Sequence, residues 1–303
     1  MNVDLDAAAG FLARHGRMVD RRRFELVLGR GELAAAVAAV NAYRNPDGGY
    51  GWGLEPDLRS ATSQPGGALH AFEVFADLAP TVTPEAATLC DWLDSVTLPV
   101  GGLPFALPVP DPAGCAPFWV DADQQTPSLQ ITAVVAAVAH EVARHDPAVA
   151  GHPWLERATG YCLRAIADLP DEPFAIELAF AVRLLDVIAG DRPEAARLLS
   201  ALGRHIPDDG LVPVVGGAPG ESMRPFDFAP HPDGPARRLF HPDVIAAEHT
   251  RLAQQQRSDG GWEVDFASYS PAAELEWRGH ATVRAVSILH PHAAAGAPDL
   301  SRD

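Results

Sequence analysis

The chain has 303 residues, 47% of them apolar, and a formal net charge of -17. That charge opposes binding to nucleic acid or to an anionic membrane surface, because phosphate contacts need basic patches. All 23 Lys+Arg positions are arginine, which excludes a Schiff-base lysine and a P-loop lysine.

The length suits two average domains or one unit built from repeats. No apolar run is long enough to span a membrane. The start, MNVDLDAAAG, is acidic where an export signal is basic, so no such signal is expected. Cys90, Cys115 and Cys162 are odd in number and far apart, which predicts reduced thiols and a cytoplasmic protein. The oligomeric state is not legible.

Taken in order, apolar periodicity predicts helices over 12–28, 33–43, 68–78, 86–96, 128–143, 154–167, 175–188, 195–205, 244–256 and 280–289. The run Arg21-Arg22-Arg23 reads as a solvated helix face rather than an anion site. Asn45-Pro46-Asp47-Gly48-Gly49 ends one helix, since proline stops it and glycine supplies the turn. Gly102, Gly210 and Gly261 mark similar breaks. With one degenerate mark near 160–170, the spacing is about 53 residues, the signature of stacked or ringed helical hairpins. No alternating pattern is long enough to build a sheet. The expected architecture is all-α, a single α/α toroid of five to six hairpins over 1–292 with a frayed tail over 293–303; an open superhelix is the alternative.

Gln254-Gln255-Gln256-Arg257-Ser258-Asp259-Gly260-Gly261-Trp262 resembles the glutamine–tryptophan repeat of the terpenoid cyclase and protein prenyltransferase superfamily, and Asn45-Pro46-Asp47-Gly48-Gly49-Tyr50 is similar to a second copy. The resemblance implies an α/α toroid with a central cavity, a fold that also carries polysaccharide lyases. It speaks for the fold more than for the reaction. Gln256 and Trp262 are expected to be structural: glutamine bonds exposed helix ends, and tryptophan fills the wedge between hairpins.

Asp121 and Asp123, before Thr126-Pro127, approximate the acid motif of the resembling class II cyclases. The resemblance implies that Asp123 is the proton donor and Asp121 its partner; Gln124 stands where the motif has a last acid. Two close carboxylates share a proton, which raises one pKa. The competing reading is a helix N-cap.

A second candidate is the repeated pattern of acid, any residue, acid, any residue, arginine: Glu55, Asp57, Arg59 and Glu274, Glu276, Arg278. Both copies are expected just before inner helices. Converging acids would bind substrate or, as the one cofactor in view, a divalent cation; the competing reading is Glu–Arg bridges between hairpins. His280 is the best partner for an acid, with His70 and His241 behind it. No His/Cys/Asp spacing makes a zinc motif, so no metal ligands are assigned. Trp52, Trp119 and Trp277 lie beside these polar stretches and would contact a small-molecule substrate.

Three functions stay open: acid-catalysed cyclisation or isomerisation of an isoprenoid-like or other small hydrophobic substrate, a sugar-active lyase or hydrolase on the same barrel, and a binding or scaffold module without a reaction.

Overall fold

Four turns of one geometry divide the chain. The backbone N–H of Asn45 donates to Gly49 O at 2.9 Å and that of Gly48 to Asn45 O at 3.0 Å. The same two bonds run Leu98 to Gly102 and Gly101 to Leu98, and again Arg257 to Gly261 and Gly260 to Arg257. The fourth turn keeps only Gly210 to Pro207, because proline has no N–H to give. Gly48, Gly101, Gly210 and Gly260 have φ of +92°, +99°, +73° and +96°, a region glycine enters without steric cost. A buried side chain follows three of the turns: Tyr50, Leu103 and Trp262. The amides of Leu103 and Trp262 donate to Thr132 and Thr282 on the helix that comes next.

The structure is a computed structural model, and it describes residues 3–290. The predicted tail over 293–303 lies outside the described residues. Within them are α1 (Leu5–His15), α2 (Met18–Val27), α3 (Leu33–Asn41), α4 (Pro65–Asp77), α5 (Pro84–Val96), α6 (Pro117–Val120) and α7 (Leu129–Ala143). Then come α8 (Pro147–Ala150), α9 (Pro153–Ala167), α10 (Ala175–Ile188), α11 (Pro193–Leu202), α12 (Pro225–Phe228), α13 (Pro242–Gln254) and α14 (Pro271–Leu289). The strand content among the described residues is one antiparallel pair, β1 (Val212–Pro213) with β2 (Ser222–Met223). The fold is all-α, as expected.

Several boundaries differ from the sequence reading. The predicted helix over 12–28 is two helices. Gly16 is extended (φ -75°, ψ 151°), and a Cβ there would lie 2.8 Å from Leu12 and 3.0 Å from the Leu12 carbonyl. The last helix starts at Pro271, not near 280, because proline is pre-set for the first helical position and Ser270 caps it. Pro65 starts α4 early in the same way.

α7 is buried on nearly all sides and packs on both α4 and α10. Beyond α10 the contacts pass to α12, then to α13 and α14; α14 packs on α2, and α2 packs on α4. Most of the apolar residues join in one cluster around α4, α7 and α10, and a second forms around Phe11, Phe24, Trp262 and Val286.

His140 fastens α7 to α9 through Thr159, with Nε2 and Oγ1 2.8 Å apart. Thr159 spends its own proton on Leu155 O, so the ring donates. Burial first, with Arg192 adding, pushes the His140 pKa down to about 4. The unfolded chain therefore takes up a proton near pH 6.5 that the folded chain resists until about pH 4. The stability from this group is present above pH 6.5 and is lost as pH falls through that window, about 3 kcal/mol in all. Urea unfolding of wild type and His140→Gln at pH 7.5 and 4.5 should show the variant losing less stability on acidification by that order; equal losses would remove His140 as the cause.

Candidate functional site

The stretch from Glu55 to Arg59 follows the first glycine turn and is almost wholly buried. It packs against the starts of α4 and α14, where a dense polar cluster forms. His70 on α4 sits between two carboxylates: Nε2 is 2.9 Å from Glu55 Oε2, and Nδ1 is 3.0 Å from Glu73 Oε2. His70 and Glu73 are one turn apart and share a helix face. Arg23 on α2 reaches across to Glu73 at 2.8 Å and to Asp77 at 2.7 Å. Arg17 forks onto Asp20 and donates to Leu54 O at 2.7 Å. His280 on α14 brings Nδ1 to 3.6 Å from Glu73 Oε2, and its ring centroid is 5.2 Å from that of His70.

The surroundings push the two imidazoles in opposite directions. Burial acts to lower the His70 pKa, but Glu73 and Glu55 outweigh it and hold it up at about 9. Burial pushes His280 down to about 3, against the pull of Glu73 and with His70 adding. His280 Nδ1 is also buried without a hydrogen-bond partner.

Trp277 roofs the cluster. Its ring lies 5.8 Å from His70, 5.6 Å from His280 and 5.1 Å from Phe266, centroid to centroid. Its Nε1 donates to Asp57 Oδ2 at 2.7 Å, and the Tyr269 amide donates to Oδ1 at 3.2 Å. Burial raises the Asp57 pKa despite both bonds. Trp119 and Glu55 both lie against Gly66, since a Cβ there would meet both at 3.3–3.4 Å. Trp119 stacks on Phe105 at 4.4 Å, and Phe118 meets Tyr269 at 5.5 Å. Arg59 forks onto Glu276 at 2.7 and 3.2 Å, joining the two acid–arginine segments directly.

The structure thus brings together Glu55, Asp57, Trp277 and His280, with Arg59, Glu276 and Trp119 at the edge. Other predicted residues fall elsewhere. Asp121 and Asp123 are exposed, ahead of α7 rather than capping it; Ser128 is the cap. Asp123 accepts from the Gln125 amide and from Thr126 Oγ1, and those bonds hold its carboxyl below the usual range. An acid held ionised is a poor proton donor. The second acid pair lies inside α14, where residues two apart point in different directions: Glu274 is exposed, and only Glu276 turns to Arg59. Arg278 grips Asp259 and lies 4.5 Å over the Phe11 ring, so it holds the last glycine turn. Trp52 is exposed and bonds Asn45 Oδ1. His241 caps α13 and faces solvent.

Sequence reasoning missed Arg23, Glu73 and Asp77. The signal was His70, Glu73 and Asp77 at i, i+3, i+7, a polar face on an otherwise apolar helix. Arg23 corrects the solvated-face reading of 21–23: it turns inward, while Arg22 pairs with Glu25 at the surface.

Further charges line the inner helices beyond the cluster. Glu141 on α7 pairs with His231 at 2.9 Å, and Arg284 on α14 with Asp227 at 2.8 Å. Arg183 on α10 has Glu141, Arg284, Glu73 and Asp227 as its charged neighbours, yet it makes no hydrogen bond or ion pair of its own among the described residues. A separate cleft opens beside Arg284, lined also by Arg224, Phe226, Glu248, Arg251 and Asp265. Its arginines are each matched to an acid. The cluster in which His70 and His280 meet at Glu73 is the better candidate for chemistry. No helix among the described residues is long and apolar enough to cross a membrane.

No family model matches the chain, and no curated protein sequence does. Among solved structures it is similar to a protein from Actinoplanes, with a TM-score of 0.55 and 17% identity over 96% of this chain and 98% of that one. At that identity the likeness concerns the fold.

Proposed function

We propose that the chain is a single α/α toroid whose charged interior binds and transforms a small polar, anionic molecule, as a lyase or hydrolase of the sugar-active kind. The supports for the toroid are the repeated glycine turns and the run of helix contacts from α2 through α4, α7, α10, α12, α13 and α14 back to α2. Six hairpins fit this plan: α1–α2, α3–α4, α5–α7, α9–α10, α11–α12 and α13–α14.

The observation that carries the functional reading is Arg183. A half-buried guanidinium without a partner, among side chains that keep some contact with solvent, is a natural seat for a carboxylate or phosphate. An anion held there by Arg183 lies toward Glu73, and through it toward His70 and His280, where the polar chemistry is concentrated. A second reading rests on the aromatic ledge of Phe118, Tyr269, Phe266 and Trp277. It keeps the acid-catalysed transformation of a hydrophobic substrate, with Asp57 instead of Asp123 as donor.

One panel separates them: oligosaccharides bearing uronic acids, small carboxylated or phosphorylated sugars, prenyl diphosphates and polyenes, offered to wild type, Arg183→Gln, Asp57→Asn and Asp123→Asn. Turnover of the anionic sugars is expected, with kcat/KM down by about 100-fold or more in Arg183→Gln, corresponding to loss of about 3 kcal/mol of charge-assisted binding. Asp123→Asn should match wild type. Turnover of polyenes alone, lost in Asp57→Asn, would overturn the polar reading in favour of the second; no turnover at all would favour a binding module.

A further inference from the structure

We infer that His70, Glu73 and His280 bind a divalent transition-metal ion, zinc-like in its preference, with Glu55 as the outer partner of His70. The inference deepens the reading above by naming the cofactor of the same cluster, but its geometry stands without any substrate.

The ligand atoms are already close to the spacing such an ion needs. Three donors at about 2.0–2.2 Å from a tetrahedral ion lie roughly 3.3 Å from one another. Here His70 Nδ1 is 3.0 Å from Glu73 Oε2 and His280 Nδ1 is 3.6 Å from the same oxygen. All three residues offer a ligand atom within 4.8 Å of the others. Small side-chain rotations close the remaining gap.

His280 is the telling residue. At 3.6 Å its Nδ1 makes no hydrogen bond with Glu73, and it is buried with no other partner. A buried polar atom left unpaired costs about 1–3 kcal/mol. Coordination uses the lone pair that no hydrogen bond occupies. His70 is prepared in the manner of metal-ligating histidines: Glu55 accepts from Nε2 at 2.9 Å, which holds the outer proton there and turns Nδ1 inward.

The charges around the cluster favour a dication. From α2 come Asp20 and Arg23, with Arg17 just ahead of it; from α4, Glu73 and Asp77; from the loop before α4, Glu55; from α10, Arg183. Four carboxylates stand against three guanidinium groups, an excess of one negative charge when both histidines are neutral. Two imidazoles and one carboxylate suit zinc or cobalt better than magnesium or calcium, which prefer oxygen. Three protein ligands leave a fourth position for water or substrate, the arrangement of reactive rather than purely structural zinc sites. The sequence held no zinc motif because the ligands come from helices at opposite ends of the chain.

The test uses the full, untagged chain after chelation and exchange into metal-free buffer. Titration with Zn2+ by calorimetry, and with Co2+ by visible absorbance, should give one equivalent in wild type. His280→Ala and Glu73→Gln should each weaken binding at least 100-fold. Glu55→Gln should weaken it by about 10- to 100-fold, the range for outer partners of metal-bound histidines. His241→Ala should bind as wild type does. Circular dichroism reports whether each variant folds; if His280→Ala does not, Glu55→Gln and His280→Asn decide. No stoichiometric binding by wild type, or binding undiminished in folded variants of His280 and Glu55, would overturn the assignment. The two proposals fail separately: metal binding without turnover of anionic sugars would overturn the substrate reading alone, and turnover without metal binding would overturn the metal site alone.

Discussion

Gly260→Ala is expected to lower stability by about 4 kcal/mol or more, among the largest effects a single methyl group can have. Two causes add. The residue sits at φ +96°, where a side chain costs roughly 1–2 kcal/mol. The new Cβ would also overlap the backbone carbonyl of Ala7 on α1, which cannot move aside as a flexible side chain would. That contact is one of several tying the last turn to the first helix. Gln256 both donates to Asp4 O at 2.7 Å and accepts from the Asp4 amide at 2.8 Å. Arg14 reaches Asp259 O at 3.1 Å, and Trp262 is buried against Phe11 and Val286. Two controls separate the causes. Gly216 has φ +80° but open space around it, and Gly190 has neither constraint. In urea, Gly216→Ala should cost about 1 kcal/mol and Gly190→Ala close to nothing. A Gly260→Ala loss no larger than that of Gly216→Ala would show that the first and last hairpins are not held together here.

The second large effect is at Arg23. Arg23→Met should cost about 3–5 kcal/mol, because one guanidinium pairs with two carboxylates and removing it leaves Asp77 without a counter-charge and Glu73 with His70 alone. The Arg23 side chain is 13% exposed, Glu73 14% and Asp77 21%, so solvent takes up little of the load. The double variant Arg23→Met, Asp77→Leu should recover a good part of the loss, since apolar replacement of both partners of a buried pair is often close to neutral. Arg23→Lys should fall between, because an ammonium cannot fork between two acids as a guanidinium does. Additive losses in the double variant would mean that Arg23 and Asp77 act separately.

The residues that set backbone shape were legible in the sequence. Glycine before a large apolar residue, at a steady interval, marked three turns that the structure builds with the same bonds. Gln256 and Trp262 behave as their chemistry suggests, one tying the start of α1 and the other filling the wedge beside it. Local acid motifs were less informative, because spacing means different things in a loop and in a helix. Glu55 and Asp57 lie in a loop and are both buried; Glu274 and Glu276 lie in α14 and diverge. Asp123 looked like a donor in one dimension and turned out to fold back on its own turn. The centre of the cluster was hidden for another reason. Arg23, His70, Glu73 and His280 come from three helices, and no short window of sequence contains them all. A polar face on α4 was visible, but what it faced depended on α2 and α14 arriving from elsewhere.

The unpartnered guanidinium of Arg183 also has a kinetic side. The chain as a whole carries -17, so an approaching anion is repelled from outside and attracted only once it is within. Salt screens the long-range repulsion over a Debye length of about 8 Å at physiological ionic strength but acts less on the short contact inside. Modest salt should therefore speed the entry of an anionic ligand before higher salt weakens its hold, giving association a maximum at intermediate ionic strength where an oppositely charged pair would show only a decline.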